Sequence, residues 1–340
     1  MSDSASESTA WILAREAVLA MGMISMLVLG LWFHTGSMPP LVVVESNSMI
    51  HEKGGEVGSI DAGDLILVHS VDAEDVVTYA EATDPTNMHH GFSSHGMEGD
   101  VIIYLKNGAE GTPIIHRAIL KAVANSTVDP TDRDTGICPS GSSWDSVSKG
   151  VDGQSGTCVL TWDVPGTSLV GVDNITWEFD GDQTGLYLCK RNEQYNHAGI
   201  IDDFLLINEW DPGQAGVLTL GDNNKCSVDQ GAGAAPGSSG LFTSSGQVGA
   251  VQDTWLVGVA GAEIPWLGTV KLALSGGEPG TYYVPTSSWV GLIASIGILL
   301  ALPFVLEPIA RVIIGRSPEV EEAKREEAVS TIAKTLFEEE

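Results

Sequence analysis

The sequence predicts a mainly β domain with an inserted subdomain, flanked by two transmembrane helices. Three observations carry this expectation. Two long apolar segments lie near the ends of the chain, short runs rich in Val, Ile and Leu fill the region between them, and that region shows no helical period of useful length.

The first apolar segment runs from Ala17 to Phe33, near the short limit of the roughly 20 residues that cross a bilayer. Arg15 and Glu16 can snorkel at one end and Trp32 suits an interface at the other. The apolar core is longer than the roughly 7–15 residues of a cleaved signal, and the following SMPP offers no small-x-small site, so a retained anchor is expected. The second segment runs from Trp289 to Leu306, with Pro303 near its end. Arg311, Arg316, Lys324, Arg325 and Lys334 follow it, and the positive-inside rule then places the C-terminus in the cytoplasm. With two spans the N-terminus lies there too, and residues 37–287 lie outside the cell membrane.

The expected organisation is therefore as follows. Residues 1–36 form a short cytoplasmic N-terminus and the first helix, 37–124 the first part of the exterior domain and 125–215 the inserted subdomain. Residues 216–287 complete the domain, 288–314 form the second helix and 315–340 a charged cytoplasmic tail. Strands are expected in LVVVES, GDLILVHSV, GDVIIYLKN, PIIHRAILKAV, GVLTLGD, TWLVGVAGAEI and GTVKLAL. Within the insert, TCVLTWDV, NITWEF, TGLYLCK and FLLINEW read as further strands.

Charge narrows the function. The chain carries a net charge of −29, and residues 37–287 hold 33 Asp and Glu against 10 Lys and Arg. Such a surface repels phosphate backbones, which excludes nucleic acid as a partner. Cys138, Cys158, Cys189 and Cys226 all fall in the exterior region, where an even count favours disulfides. Three pairings are open; the short loop of Cys138–Cys158 favours that pair, with Cys189–Cys226 as the remainder. C-x-x-C spacing and H-E-x-x-H are absent, and His89, His90 and His95 sit in a Gly- and Ser-rich loop without a ligand set, so no metal or cofactor is expected.

One constellation carries chemistry. A serine hydroxyl needs a base within hydrogen-bond reach and, behind the base, an acid. Ser48 ends a strand and opens a turn in VVVESNSMI, His116 lies in the β-branched TPIIHRAIL, and Asp222 lies in LTLGDNNKCSVDQ with Asp229 seven residues later. Taken singly these are a turn serine, a packed strand histidine and a turn-forming aspartate. Taken together, in this order and after an anchor, they supply nucleophile, base and acid.

The boxes ESNSM, TPIIHRAIL and TLGDNN…D, with GDLILVHSV, GDVIIYLKN and VGVAGAEIPWLGTVKLAL between and after them, resemble type I signal peptidases. The likeness is to the archaeal and endoplasmic-reticulum branch, which uses His where the bacterial branch uses Lys. The resemblance implies a signal-peptidase-like β-fold and a membrane-bound serine endopeptidase acting on exported preproteins. Ser48 would be the nucleophile, His116 the general base, and Asp222 and Asp229 the acidic positions. Ser46 would join the Ser48 backbone N–H in an oxyanion hole. Preprotein signal peptides cut after small residues, membrane lipid and the secretion translocon are the partners so implied. Three positions depart from the pattern: Asn47 replaces a Gly, His51 replaces a Pro, and Asp229 follows Asp222 by seven residues rather than five or six. Which acid supports His116 stays open. The alternatives are a catalytically inactive exterior binding module and a protease that processes envelope proteins.

Overall fold

The computed structural model describes residues 9–51, 55, 57–129, 131, 138, 143–145, 157–189, 204–231, 240–244, 246–276, 280–315 and 325. The expected charged tail beyond 315 lies almost wholly outside them. Contacts divide the chain into two compact units, Met1–Ser288 and Trp289–Glu340.

The chain opens with α1 (Thr9–Thr35), β1 (Leu41–Val43), β2 (Leu65–His69) and α2 (Tyr79–Thr83). The short pair β3 (Ser93–Ser94) and β4 (Met97–Glu98) precedes β5 (Val101–Tyr104) and the long β6 (Ile114–Val128). Then come β7 (Ser143–Asp145), β8 (Thr157–Asp163), β9 (Ile175–Glu178), β10 (Leu206–Trp210), β11 (Gly216–Leu220), β12 (Phe242–Thr243) and β13 (Gly246–Gln247). β14 (Leu256–Ile264), α3 (Gly268–Ser275) and α4 (Thr286–Gly315) close the described chain.

Two helices are long and apolar enough to cross a membrane, Trp11–Thr35 within α1 and Thr286–Pro308 within α4. Pro303 and Pro308 both lie inside α4. The foot of α1 is tied to the sheet: the Ser70 N–H donates to the Thr35 carbonyl at 2.9 Å, and His34 meets His69 edge-on at 5.5 Å.

Between the helices the unit is built on one eight-stranded sheet in the order β1-β2-β14-β5-β6-β8-β7, with β11 also paired to β6. Every ladder is antiparallel. The strands read from β-branched runs form where expected, because Ile66, Val68, Val101, Ile102 and Ile103 are all buried. β6 organises the sheet. Its first half pairs with β5 and β11, and its second half pairs with β8 from Val123 to Val128. The expected insert boundary at residue 125 thus falls inside a continuous strand. The insert shares its core with the rest of the domain: Trp162, Ile175 and Trp177 pack in one cluster with Ile119, Leu120 and Leu218. Both expected disulfides form, Cys138–Cys158 and Cys189–Cys226, and the second fastens the insert to the loop after β11.

Three local expectations are corrected. GTVKLAL is not a strand but α3. Its alternating Val270, Leu272 and Leu274 mimic a period of two. Burial instead follows helical spacing, with Thr269 and Leu272 covered and Leu274 81% exposed. Gly268 fits only without a side chain, because a Cβ would stand 2.7 Å from the Asp64 carbonyl. Among its described residues TGLYLCK holds only isolated bridges, at Leu186 and Leu188. α2, in a region read as having no helix, is a short turn set by a capping box in which Thr78 and Glu81 satisfy each other's backbone N–H.

Candidate active site

The turn after β1, the strands β5 and β6, and β11 with its following loop supply the residues of the site. β1 is the terminal strand of the sheet order, and it delivers ESNSM directly. Met49 is buried in the core beside Val44 and Ile60, which anchors the turn, while Ser48 is half-buried and Ser46 exposed. Ser46 Oγ and Ser48 Oγ lie 3.1 Å apart and share a hydrogen bond.

β6 carries His116 and Arg117, whose side chains diverge from adjacent positions. His116 is 4% exposed. Its Nδ1 lies 2.6 Å from Asp229 Oδ2. A carboxylate only accepts, so Nδ1 carries a proton, and in the neutral form of the ring Nε2 presents a lone pair. The same Asp229 oxygen accepts from the Tyr104 hydroxyl at 2.7 Å and from the Thr219 hydroxyl at 2.7 Å. Burial first, and then the Asp229 charge, push the Tyr104 phenol well above its ordinary range, so it stays a donor. Asp229 reaches this place because its N–H donates to the Thr219 carbonyl at 3.0 Å, running the chain back along β11.

The loop after β11 closes the arrangement. The Asn223 N–H donates to the Ser48 carbonyl at 2.8 Å, and Asn223 Nδ2 donates to the Asn47 carbonyl at 3.0 Å. At Gly221 a Cβ would stand 2.8 Å from His116 Nε2 and 2.8 Å from the Ser48 carbonyl oxygen. The imidazole and the serine backbone therefore meet across a glycine that any other residue would obstruct. Among the described residues no hydrogen bond joins Ser48 Oγ to His116; the Ser48 hydroxyl is bonded to that of Ser46.

Asp222 faces elsewhere. Its carboxylate takes two bonds from Arg117, at 2.9 Å from Nε and 2.7 Å from Nη2, and a third from His51 Nε2 at 2.7 Å. Burial alone would raise Asp222, but the Arg117 guanidinium, helped by His51, holds it well below the usual carboxylate range. Arg117 is fully buried, and its Nη1 also donates to the carbonyls of Ser94 and Gly99 at 3.0 and 2.8 Å.

Of the predicted residues, Ser46, Ser48, His116 and Asp229 thus come together, while Asp222 supports the neighbouring Arg117 and His51. Sequence reading passed over Tyr104, Thr219, Gly221 and Asn223. The strand register could have found the first two, since Tyr104 pairs with Ile114 and Thr219 with Ala118, each two residues from His116. His95 Nε2 lies 3.3 Å from the Ala260 carbonyl. Among the described residues no group of three His, Cys, Asp or Glu side chains could hold a metal ion.

No family model, no curated protein and no solved structure matches the chain.

Proposed function

We propose that this protein is a membrane-anchored serine endopeptidase that cleaves signal peptides from exported preproteins. The observation that carries the reading is the His116 imidazole, held by Asp229 through Nδ1 with Nε2 turned toward the Ser48 turn. Asp229 fixes the tautomer, and its charge stabilises the imidazolium that forms when Nε2 takes the serine proton.

On this reading Ser48 Oγ leaves Ser46, bonds to His116 Nε2 and attacks the scissile carbonyl. The Ser48 N–H and the Ser46 hydroxyl then face the developing oxyanion. His116 returns the proton to the departing amine, and a water molecule, activated by the same histidine, releases the acyl chain. β1 supports the substrate class. As the outermost strand of the sheet order it leaves an edge beside the nucleophile, on which an extended preprotein segment can add as a further strand. The domain follows α1 directly. Ser48 stands about 15 residues beyond the first apolar segment, so at most ~50 Å of extended chain separates it from the bilayer. Both termini would be cytoplasmic and the domain extracellular, close to membrane lipid and to the translocon that delivers preproteins.

The test is preprotein cleavage by the full-length protein in membranes. Ser48→Ala and His116→Ala should each abolish cleavage while the protein stays folded. Cleavage at the normal rate by both variants would sink the reading. If the unaltered protein cleaves no preprotein at any pH, an inactive binding module is favoured. If preproteins mature normally in cells depleted of it while other envelope proteins do not, the substrate is an envelope protein.

A further inference from the structure

We propose that His51 is a positioning residue that pins the nucleophile turn to the strand bearing the base. This rests on the serine-protease reading above and assigns a part to a residue outside the nucleophile, base and acid.

His51 lies three residues beyond Ser48, and its Nε2 is 2.7 Å from Asp222 Oδ2. The Asp222 side chain is fully buried and that of His51 is 17% exposed, so the bond lies out of bulk water. The same carboxylate is gripped by Arg117, the residue after His116 on β6. Asp222 is therefore a bridge: one side holds the strand that carries the base, and the other holds the turn that carries the nucleophile. The next residue completes the hold, since Asn223 bonds the carbonyls of Asn47 and Ser48. Two consecutive loop residues thus fix the turn on both sides of Ser48.

The fit is close around the ring. Gly96 has φ +81°, and a Cβ there would stand 2.9 Å from His51 Nδ1. Asp222, already paired with Arg117, carries a charge that His51 need not neutralise. A neutral imidazole donating one N–H is sufficient, and a charge-assisted bond of this kind is stronger than one between neutral groups. Because Ser48 Oγ is not yet bonded to His116, small changes in the turn alter how often the attacking geometry is reached.

The experiment compares His51→Ala, His51→Gln and Ser48→Ala in the full-length protein, in membranes. Steady-state preprotein cleavage gives kcat and KM. The rate at which a serine-directed fluorophosphonate labels Ser48 reports nucleophile reactivity without preprotein. His51→Ala should lower kcat and the labelling rate together by about ten- to a hundredfold, with KM within about twofold. His51→Gln places its Nε2 the same number of bonds from the backbone and should recover most of the loss. Unchanged kcat in His51→Ala, or Gln no better than Ala, overturns the proposal. Should the Ala variant fail to fold, the folded Gln variant decides: near-normal kcat supports the pin, and a loss as large as tenfold overturns it. Ser48→Ala separates the two readings, because full activity there removes the protease reading itself, whereas an inactive Ser48→Ala beside an unaffected His51→Ala removes only the pin.

Discussion

His116 and Arg117 are neighbours on one strand, yet the two aspartates they meet are used in opposite ways. Among the described residues Asp229 meets no guanidinium or ammonium: the His116 imidazole and the Tyr104 and Thr219 hydroxyls all converge on one oxygen. No Lys or Arg belongs to that set, so on the proposed reading the carboxylate is free to stabilise an imidazolium formed during reaction. Asp222 is already matched by the Arg117 guanidinium, so its charge is spent in holding structure. Two histidine–aspartate pairs can therefore look alike in sequence, and the partners of each carboxylate decide which can support proton transfer.

The largest effect expected from this contrast falls on Asp229. Asp229→Asn should reduce kcat by on the order of 10³–10⁴-fold, because an amide can hold the wrong histidine tautomer and cannot stabilise imidazolium. Asp222→Asn should alter kcat far less in protein that remains folded. Preprotein cleavage by both variants, normalised to folded protein, is the measurement. Equal losses would erase the distinction between the pairs.

Asp222 should show itself chiefly in stability. Removing one partner of a buried ion pair strands the other, so Asp222→Ala or Arg117→Met should cost about 3–5 kcal/mol of unfolding free energy. The pH dependence has a defined sign. Arg117 depresses the folded-state value of Asp222, so its stabilisation is present above the unfolded carboxylate value near ~3.9 and is lost as pH falls through the folded one. Denaturant titrations of wild type and Asp222→Ala should therefore converge in strong acid and stand furthest apart near neutrality. A gap that stays constant into strong acid would mean that the pair does not stabilise through charge.

Much of this arrangement was legible in the chain. The strands were readable because β-branched runs face a core on at least one side, and the serine, the histidine and both acids were readable from their boxes. Which aspartate lies against the imidazole was not. It depends on the loop from Gly221 to Val228, whose length departs from the expected spacing. Lys225 and Cys226 take left-handed φ values of 52° and 59° in succession, and the Cys189–Cys226 bond fastens that bend. Asp229 is thereby returned to Thr219 despite the longer loop. The disulfide pair was expected from the sequence, but these backbone angles cannot be read from residue order. The same limit applied to α3, where a period-two pattern of apolar residues lies on a helix with two of them turned outward.

The smallest effect sharpens the account of Asp229 itself. Tyr104→Phe removes one of the neutral donors while keeping the ring packed, and should cost about 1–3 kcal/mol of stability through a less satisfied carboxylate. Thr219 and His116 still hold the carboxylate, so kcat should fall by less than in Asp229→Asn. Tyr104 also makes an alkaline prediction. Its folded-state value is raised, chiefly by burial, so the contribution is intact below the unfolded tyrosine value near ~10 and is lost as pH rises beyond it. Wild type should lose stability above that pH more steeply than Tyr104→Phe, measured as melting temperature against pH. Parallel curves would show that the hydroxyl titrates as freely in the folded protein as in the unfolded chain, and Tyr104 would then not count among the donors that hold the Asp229 carboxylate.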